Sequence, residues 1–234
     1  MDGASEFTAR SEHGAPAPSA AKTRRSIPPA LVHAVDLERL YFTLHIKGLE
    51  PGSLSLVTRG RRLGVCFEDR PEIAALGVNA ALREIERQVL IPALILDEPA
   101  ARRRALSLER WACAEVGPAV IWSLLQPVSV PRADSGPLAP VRRALDLIAG
   151  LTRRHAYLMG PALSAVDITL ASVLAPIARK DGWIWAGRLW TPLAQLAGRS
   201  ALSSHTGAAW VRRIYDVHAK TGAMMREPAR AWVP

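Results

Sequence analysis

Residues 157–176, YLMGPALSAVDITLASVLAP, hold a helix start followed by a helix with almost no polar face, and the rest of the chain is read relative to them. Ser164 stands where an N-cap belongs. Asp167, three residues on, reaches back to the Ser164 backbone N–H, an S-x-x-D form of the capping box. Leu163 and Ile168 flank the cap at hydrophobic-staple spacing, which sets the angle at which the chain meets the helix. Such a cap contributes about 1 kcal/mol. Beyond it Ile168, Leu170, Ala171, Val173, Leu174 and Ala175 leave only Thr169 and Ser172 polar. A helix apolar all round belongs at the centre of the core, ended or kinked by Pro176. Ser164 and Asp167 are therefore read as structural residues.

Tyr157-Leu-Met-Gly160, then three residues, then Ser164-Ala-Val-Asp-Ile168, resembles the start of the sixth helix in the C-terminal domain of the glutathione transferase family, where the pattern is roughly "yLxG…lSxADixla". Downstream, His205-Thr-Gly-Ala-Ala-Trp210-Val-Arg-Arg-Ile-Tyr215 is similar to the "hPaxxWvrrxY" segment that closes many bacterial members. The resemblance covers residues 99–218. It implies an α+β, predominantly helical fold: a tail at 1–25, a small thioredoxin-like, glutathione-binding domain at 26–95, and an all-helical C-terminal domain at 96–234.

Composition agrees with a globular chain of one large or two small domains, with 234 residues of which 49% are apolar and 22% charged. No apolar run approaches the roughly eighteen residues of a membrane span, so no membrane partner is expected. Cys66 and Cys113 have neither C-x-x-C spacing nor a neighbouring histidine. That usage suits a reducing compartment. With no secretory apolar core, and with Asp2, Glu6 and Glu12 opposing a transit peptide, the expected location is cytoplasmic. A net charge of +9 raises a nucleic-acid reading. The clusters Arg102-Arg103-Arg104, Arg142-Arg143, Arg153-Arg154 and Arg212-Arg213 are instead scattered over several predicted helices, as solvated faces are, so no nucleic-acid partner is expected. A basic surface does steer small anions toward the protein.

Residues 1–25 are Ala, Ser, Gly and Pro without apolar periodicity, the composition of a flexible tail. Ser26 to Val35 ends in ALVHAV after Ile27-Pro28-Pro29, which predicts a first strand. Asp36 is then the N-cap of a helix with Leu37, Leu40, Tyr41 and Leu44 at helical spacing, stopped by Gly48. Leu54, Leu56 and Val57 predict a second strand and Leu63 to Phe67 a third, with Thr58-Arg-Gly60 as the turn. Gly77 and Asn79 precede a helix with Ala81, Leu82, Ile85 and Val89 on one face. The order is similar to that of a thioredoxin-like domain, with almost no residues left for the helix that the family carries between its second and third strands. From Glu98 the chain is helical. Pro99 to Val120 predicts a long helix burying Ala105, Leu108, Trp111, Ala112 and Val116. PVSVPRADSGPLAP at 127–140 is a surface loop, Val141 to Leu151 a further helix, and Trp183, Trp185 and Trp190 pack beneath a loop.

A glutathione transferase presents the tripeptide's thiol as thiolate, the species that attacks electrophiles. Lowering a thiol pKa of about 8.5 by about two units requires roughly 2.7 kcal/mol. One hydrogen bond to a charged acceptor supplies about 1.5 to 3 kcal/mol of this. By the resemblance the donor is a Ser, Cys or Tyr at the end of the first strand or in the loop opening the first helix. The corresponding residues are His33-Ala34-Val35-Asp36. His33 as a donor and Asp36 at the helix start are the catalytic candidates, beside their plainer reading as a core histidine and a cap. The family's "ES-x-A-I" motif, whose serine holds the glutathione carboxylate, corresponds to Val78-Asn79-Ala-Ala81-Leu82, with Asn79 in the serine's place. Its cis-proline motif "vPxL" corresponds to Leu63-Gly64-Val65, with glycine for proline, which makes Gly64 and Val65 glutathione contacts. A rival register takes Ile91-Pro92-Ala-Leu94 but leaves no room for the helix that follows. Trp111 and Trp122 are candidates for the wall of a hydrophobic electrophile site. The remaining histidines, His13, His45, His155, His205 and His218, show no metal spacing, so no metal is expected. The resemblance implies glutathione as co-substrate. The resemblance thus implies a two-fold homodimer that conjugates glutathione to a hydrophobic electrophile. The compressed N-terminal half and the absent hydroxyl support a second reading, a non-catalytic member kept for binding or assembly.

Overall fold

The first described element, α1 (Pro29–Ile46), is a helix of 18 residues where a strand and then a cap at Asp36 were expected. Proline at the first helical position has its φ already set for the helix. An apolar run as short as ALVHAV carries no period that separates a buried strand from a buried helix. Tertiary packing decides it: Ala34, Leu37, Leu40, Phe42 and Leu44 are all buried, and so are the charged Glu38, Arg39 and Lys47. Asp36 lies inside the helix, not at its start. Gly48 ends it as expected, with φ +64°. The Gly48 N–H meets the His45 carbonyl at 3.1 Å and the Leu49 N–H the Leu44 carbonyl at 2.9 Å, the paired closure that a left-handed glycine permits.

The computed structural model describes residues 29–49, 54–59, 62–67, 75–125, 138–185 and 201–219. The expected tail at 1–25, most of the loop at 127–140, and Trp190 lie outside the described residues. Two expected strands are present as β1 (Leu54–Arg59) and β2 (Arg62–Phe67), paired antiparallel from Leu54↔Phe67 to Arg59↔Arg62. A short β3 (Ala75–Leu76) joins the other edge of β2 through Gly64↔Leu76 and Val65↔Ala75. The sheet order is β1-β2-β3. Helix α2 (Val78–Gln88) follows Gly77, whose φ of +94° favours glycine, and buries Val78, Ala81 and Ile85. Asn79 sits in its first turn rather than ahead of it.

The long helix expected from Pro99 is present with one interruption. It runs as α3 (Pro99–Trp111), a wider π-helical turn at Ala112–Val116, and α4 (Gly117–Leu125). Glu98 caps α3, its carboxylate accepting from the N–H groups of Ala100, at 2.8 Å, and Ala101. Then come α5 (Ala139–Leu151), α6 (Ala165–Ala178), a 3-10 turn (Ala201–Ser204) and α7 (Thr206–His218). Every residue of α6 from Val166 to Ala178 is buried, and the capping box is formed. The Asp167 carboxylate accepts from Leu158 N–H at 2.7 Å, Ser164 N–H at 2.9 Å and the Ser164 hydroxyl at 2.5 Å. Pro176 lies inside α6, two residues before its end. Helices α1, α3, α4 and α7 all touch α6, which makes it the axis of the molecule.

One carboxylate ties α1 to the C-terminal helices. Glu38 is fully buried and accepts from Ile184 N–H at 2.8 Å, Trp185 N–H at 2.9 Å and the Tyr215 hydroxyl at 2.9 Å. Burial and the neighbouring Glu38 push the Tyr215 phenol well above its ordinary value, so it remains a donor. The Phe42 ring meets the rings of Trp185 at 5.2 Å and Tyr215 at 4.9 Å, so Trp185 packs in the core, as does Trp183. Replacing Glu38 by Ala leaves these donors without their acceptor and is expected to cost about 3 kcal/mol, seen as a Tm lower by roughly 10 °C in thermal unfolding. At the other contact, a Cβ on Gly207 would lie 2.4 Å from the Leu145 carbonyl oxygen of α5. Gly207→Ala should therefore destabilise by about 2 to 3 kcal/mol in denaturant titration, opposite in sign to the helix propensity of alanine over glycine.

Candidate functional site

Glu38 and Arg39 on α1 and Lys47 just past its end are buried charges held by groups distant in sequence. A cleft of about 280 Å³ opens among α1, α2, α3 and the start of α6. Lys47 braces one wall from behind, through Glu86. Its ammonium donates to the carbonyls of Val89, at 2.6 Å, and Pro92, at 2.5 Å, and lies 2.6 Å from Glu86. Glu86 in turn accepts from Leu94 N–H at 2.6 Å and Ile95 N–H at 3.1 Å, while the Leu94 carbonyl accepts from Ala165 N–H at 2.9 Å. The segment between α2 and α3 is thereby fastened to both α1 and α6. Leu94, Ile95 and Leu96 line the cleft from it.

Arg39, only 1% exposed, organises the opposite wall. Its Nε donates to Thr169 Oγ1 at 3.1 Å, and its Nη1 to Asp36 Oδ1 at 3.5 Å and Cys113 Sγ at 3.4 Å. Glu109 stands 3.9 Å from its Nη2. Burial raises the Asp36 and Glu109 carboxyls despite the Arg39 charge beside them. Burial likewise raises the Cys113 thiol, with Asp36 and Glu109 adding to the effect and Arg39 opposing it. Thr43, Cys113 and Thr169 line the cleft, so two hydroxyls and one thiol face it. α3 and the π-helical turn that continues it contribute a single stripe, Arg102, Ala105, Leu106, Glu109, Arg110 and Cys113, at the i, i+3, i+4 spacing of one helix face.

Of the residues singled out in the sequence, Asn79 lines this cleft, beside Leu82 and Arg83. His33 and Asp36 do not. His33 is buried inside α1 with no hydrogen-bond partner for Nδ1, and Asp36 is tied to Arg39. Gly64 and Val65 are in the middle of β2, paired with Val57 and Leu56 on one side and with Leu76 and Ala75 on the other, and neither lines the cleft. The cis peptide bond is at Ile91–Pro92, in the segment between α2 and α3. Neither sequence register is reproduced as a cis-proline leading a strand. Trp111 is half-buried with its indole N–H on Glu115 at 3.1 Å, and Trp122 is half-buried on α4; both lie away from the cleft. Thr43, Cys113 and Thr169 are cleft residues that sequence reading missed, and Arg39 holds two of them from behind the lining. The α3 stripe was visible as a period, but a period does not say whether a charged member faces solvent or a cleft. Among the described residues no group of three or more His, Cys, Asp or Glu side chains could hold a metal ion, and no helix is long and apolar enough to cross a membrane.

No family model matches the sequence, and no curated protein matches it. Among solved structures the chain is similar to a glutathione S-transferase from Rhodospirillum rubrum F11, with a TM-score of 0.51, 19% identity, and 81% of this chain and 84% of that chain covered. It is also similar to glutathione transferase Xi 1 from Trametes versicolor, with a TM-score of 0.49, 13% identity and coverage of 77% and 76%. A third is a theta class glutathione S-transferase from Xanthomonas axonopodis pv. citri with glutathione bound, with a TM-score of 0.43, 21% identity and coverage of 73% and 95%. The fold is that of a glutathione transferase, as the Rhodospirillum structure shows.

Because the Cys113 pKa is raised, its thiolate fraction at neutral pH is below that of an ordinary cysteine. In a Cys66→Ser background, the rate of alkylation by iodoacetamide should keep rising past about pH 8.5 to 9, where an ordinary thiol levels off. A plateau at lower pH would show instead that Arg39 outweighs burial.

Proposed function

We propose that this chain is a glutathione transferase-like protein that binds reduced glutathione in the cleft between α1, α2, α3 and α6 and presents its thiol to a second ligand there. The observation that carries the reading is that Asn79, in the position of the carboxylate-holding serine by sequence resemblance, lines a cleft which also holds hydroxyls and guanidinium groups. The volume of about 280 Å³ is just below the range of about 300 to 1,000 Å³ usual for small-molecule sites. With His33 and Asp36 off the cleft, thiolate stabilisation falls to the side chains that reach it. Thr169 is the best placed: its oxygen already accepts from Arg39, which leaves its proton to donate. The same reading takes the chain as a cytoplasmic two-fold dimer, with residues 26–95 and 96–234 as its two domains. The distance of His33 and Asp36 from the cleft favours, as a second reading, a protein that binds glutathione without activating it.

Isothermal titration with reduced glutathione at neutral pH tests the reading, with thiolate absorbance followed on the same sample. Binding with a lowered thiol pKa supports the transferase, and binding without the shift supports the second reading. Asn79→Ala is expected to weaken binding about tenfold, the loss of one hydrogen bond to a charged group. Unchanged affinity in that variant would remove Asn79 from the site.

A further inference from the structure

Helix α7 is fastened at both ends by a histidine. At its start His205 is the N-cap, and it caps through its ring: Nδ1 accepts from the Gly207 N–H at 3.0 Å. A backbone N–H can only donate, so this Nδ1 carries no proton and the proton of the neutral ring is on Nε2. Nε2 donates to Asp146 Oδ1 of α5, 3.0 Å away. The two contacts fix one tautomer and one orientation of the ring. They also tie the cap to the charge of the ring, because a protonated imidazole is a donor at both nitrogens and cannot accept from Gly207. Gly207 is where α7 lies against the Leu145 backbone of α5, so the cap stands at the joint between the two helices.

Asp146 is the carboxylate that faces this ring, and it attracts an imidazolium. Its side chain is 62% exposed, against 24% for His205. An ion pair so open to water contributes less than a helix cap. A positive charge at a helix N-terminus also opposes the dipole. The cations of the neighbouring turns act in the same direction: Arg142 and Arg143 precede Asp146 on α5, and Arg212 of α7 donates to the carbonyls of Ala178 and Ser203. At the far end of α7 the Tyr157 hydroxyl and His218 Nε2 are 2.9 Å apart, with ring centroids at 5.7 Å. Burial lowers the His218 pKa below the ordinary histidine value, so the ring that meets Tyr157 at neutral pH is the neutral one. Trp210 and Arg213 both donate to the Ala156 carbonyl, so the segment before Tyr157 rests on α7 as well. The charged groups of this end are Arg153, Arg154 and His155 on that segment and Arg213 and Asp216 on α7, a mainly cationic set.

We propose that α7 is a pH-responsive element: neutral His205 and His218 hold its first and last turns to α5 and to the segment around Tyr157, and protonation of either ring loosens that end. The middle of the helix, where Tyr215 donates to buried Glu38, depends on neither ring. For His218 the sign follows from its lowered pKa. The stabilisation is present above the unfolded histidine value, about 6.5, and is lost as pH falls through the lower folded value. The inference is independent of the cleft and of glutathione.

NMR of the imidazole nitrogens gives the tautomer and the titration of each ring, and amide hydrogen exchange, corrected for the intrinsic rate at each pH, gives the protection along α7. At neutral pH His205 is expected as the Nε2–H tautomer. As its own ring resonances report protonation, protection at Gly207 should fall about tenfold, the worth of a cap, with that of α6 unchanged. His205→Asn supplies a cap that does not titrate, and should abolish the fall at Gly207 while leaving the one at the last turn. His218→Phe keeps a ring against Tyr157 and should leave the last turn equally protected above and below the titration. An Nδ1–H tautomer at His205 in the parent protein overturns the proposal whether or not the variants fold. So does protection at Gly207 that holds or rises on protonation, which would mean that the pair with Asp146 outweighs the cap. A fall that persists at Gly207 in His205→Asn, or at the last turn in His218→Phe, overturns the assignment of that end.

Discussion

Glu38 has no exposed surface, and the groups that satisfy it come from 146 to 177 residues further along the chain. Nine residues on, Lys47 is buried against Glu86 and two backbone carbonyls; beside Glu38, Arg39 is buried against Thr169, Asp36 and Cys113. Taking three charges out of water costs several kcal/mol for each ion unless the geometry returns it. These contacts return it only when α1, the segment after α2, the start of α6 and the residues near Trp185 are all in place. A helix with such charges has one satisfactory environment in this chain, and its position determines the others.

The cleft follows from the same helix. Helix α1 packs on α6, while Arg39 faces Glu109 on α3 and Lys47, just past α1, pairs with Glu86 on α2, and the cleft lies among these elements. Because Lys47 and Arg39 are committed to structural partners, the carboxylates nearest the cleft are partly neutralised from behind. What remains exposed to a ligand is the outer row of guanidiniums, two hydroxyls, and a thiol that burial keeps protonated at neutral pH. Binding of an anion and positioning of a second group are thus within the reach of this lining. The chemistry first looked for, a donor at the end of an N-terminal strand, is not, since α1 begins at Pro29 and places His33 and Asp36 within its own length.

Legibility in the sequence divided along a physical line. Local devices were readable: the Ser164 and Asp167 capping box, the apolar surround of α6, the Gly48 stop, the β1 and β2 strands, and the helix from Pro99. Each depends on residues within a few positions of one another, where spacing alone fixes the geometry. The strand expected before Asp36 failed because ALVHAV is too short to show a period, and it is part of a helix whose buried residues are set by tertiary packing. The two tryptophans expected at a ligand wall failed for a related reason. Trp111 and Trp122 are half-buried, but on faces turned from the cleft, and helical phase cannot name what lies opposite a face.

The sequence by itself determined a helical chain built on α6, with its cap, its neighbours in order and a short antiparallel hairpin, because hydrogen bonds and apolar periods between near residues set those elements. Resemblance to the family's "ES-x-A-I" motif made Asn79 a binding candidate, and the structure places it on the cleft. Only the tertiary structure decided that α1 is a helix carrying buried charge, that Arg39 joins residues 74 and 130 positions away, and that Arg83, Arg102 and Arg110 share one cleft. Those pairings are set by how elements cross in space, and the desolvation that gives them their energy does not exist until the crossing is made.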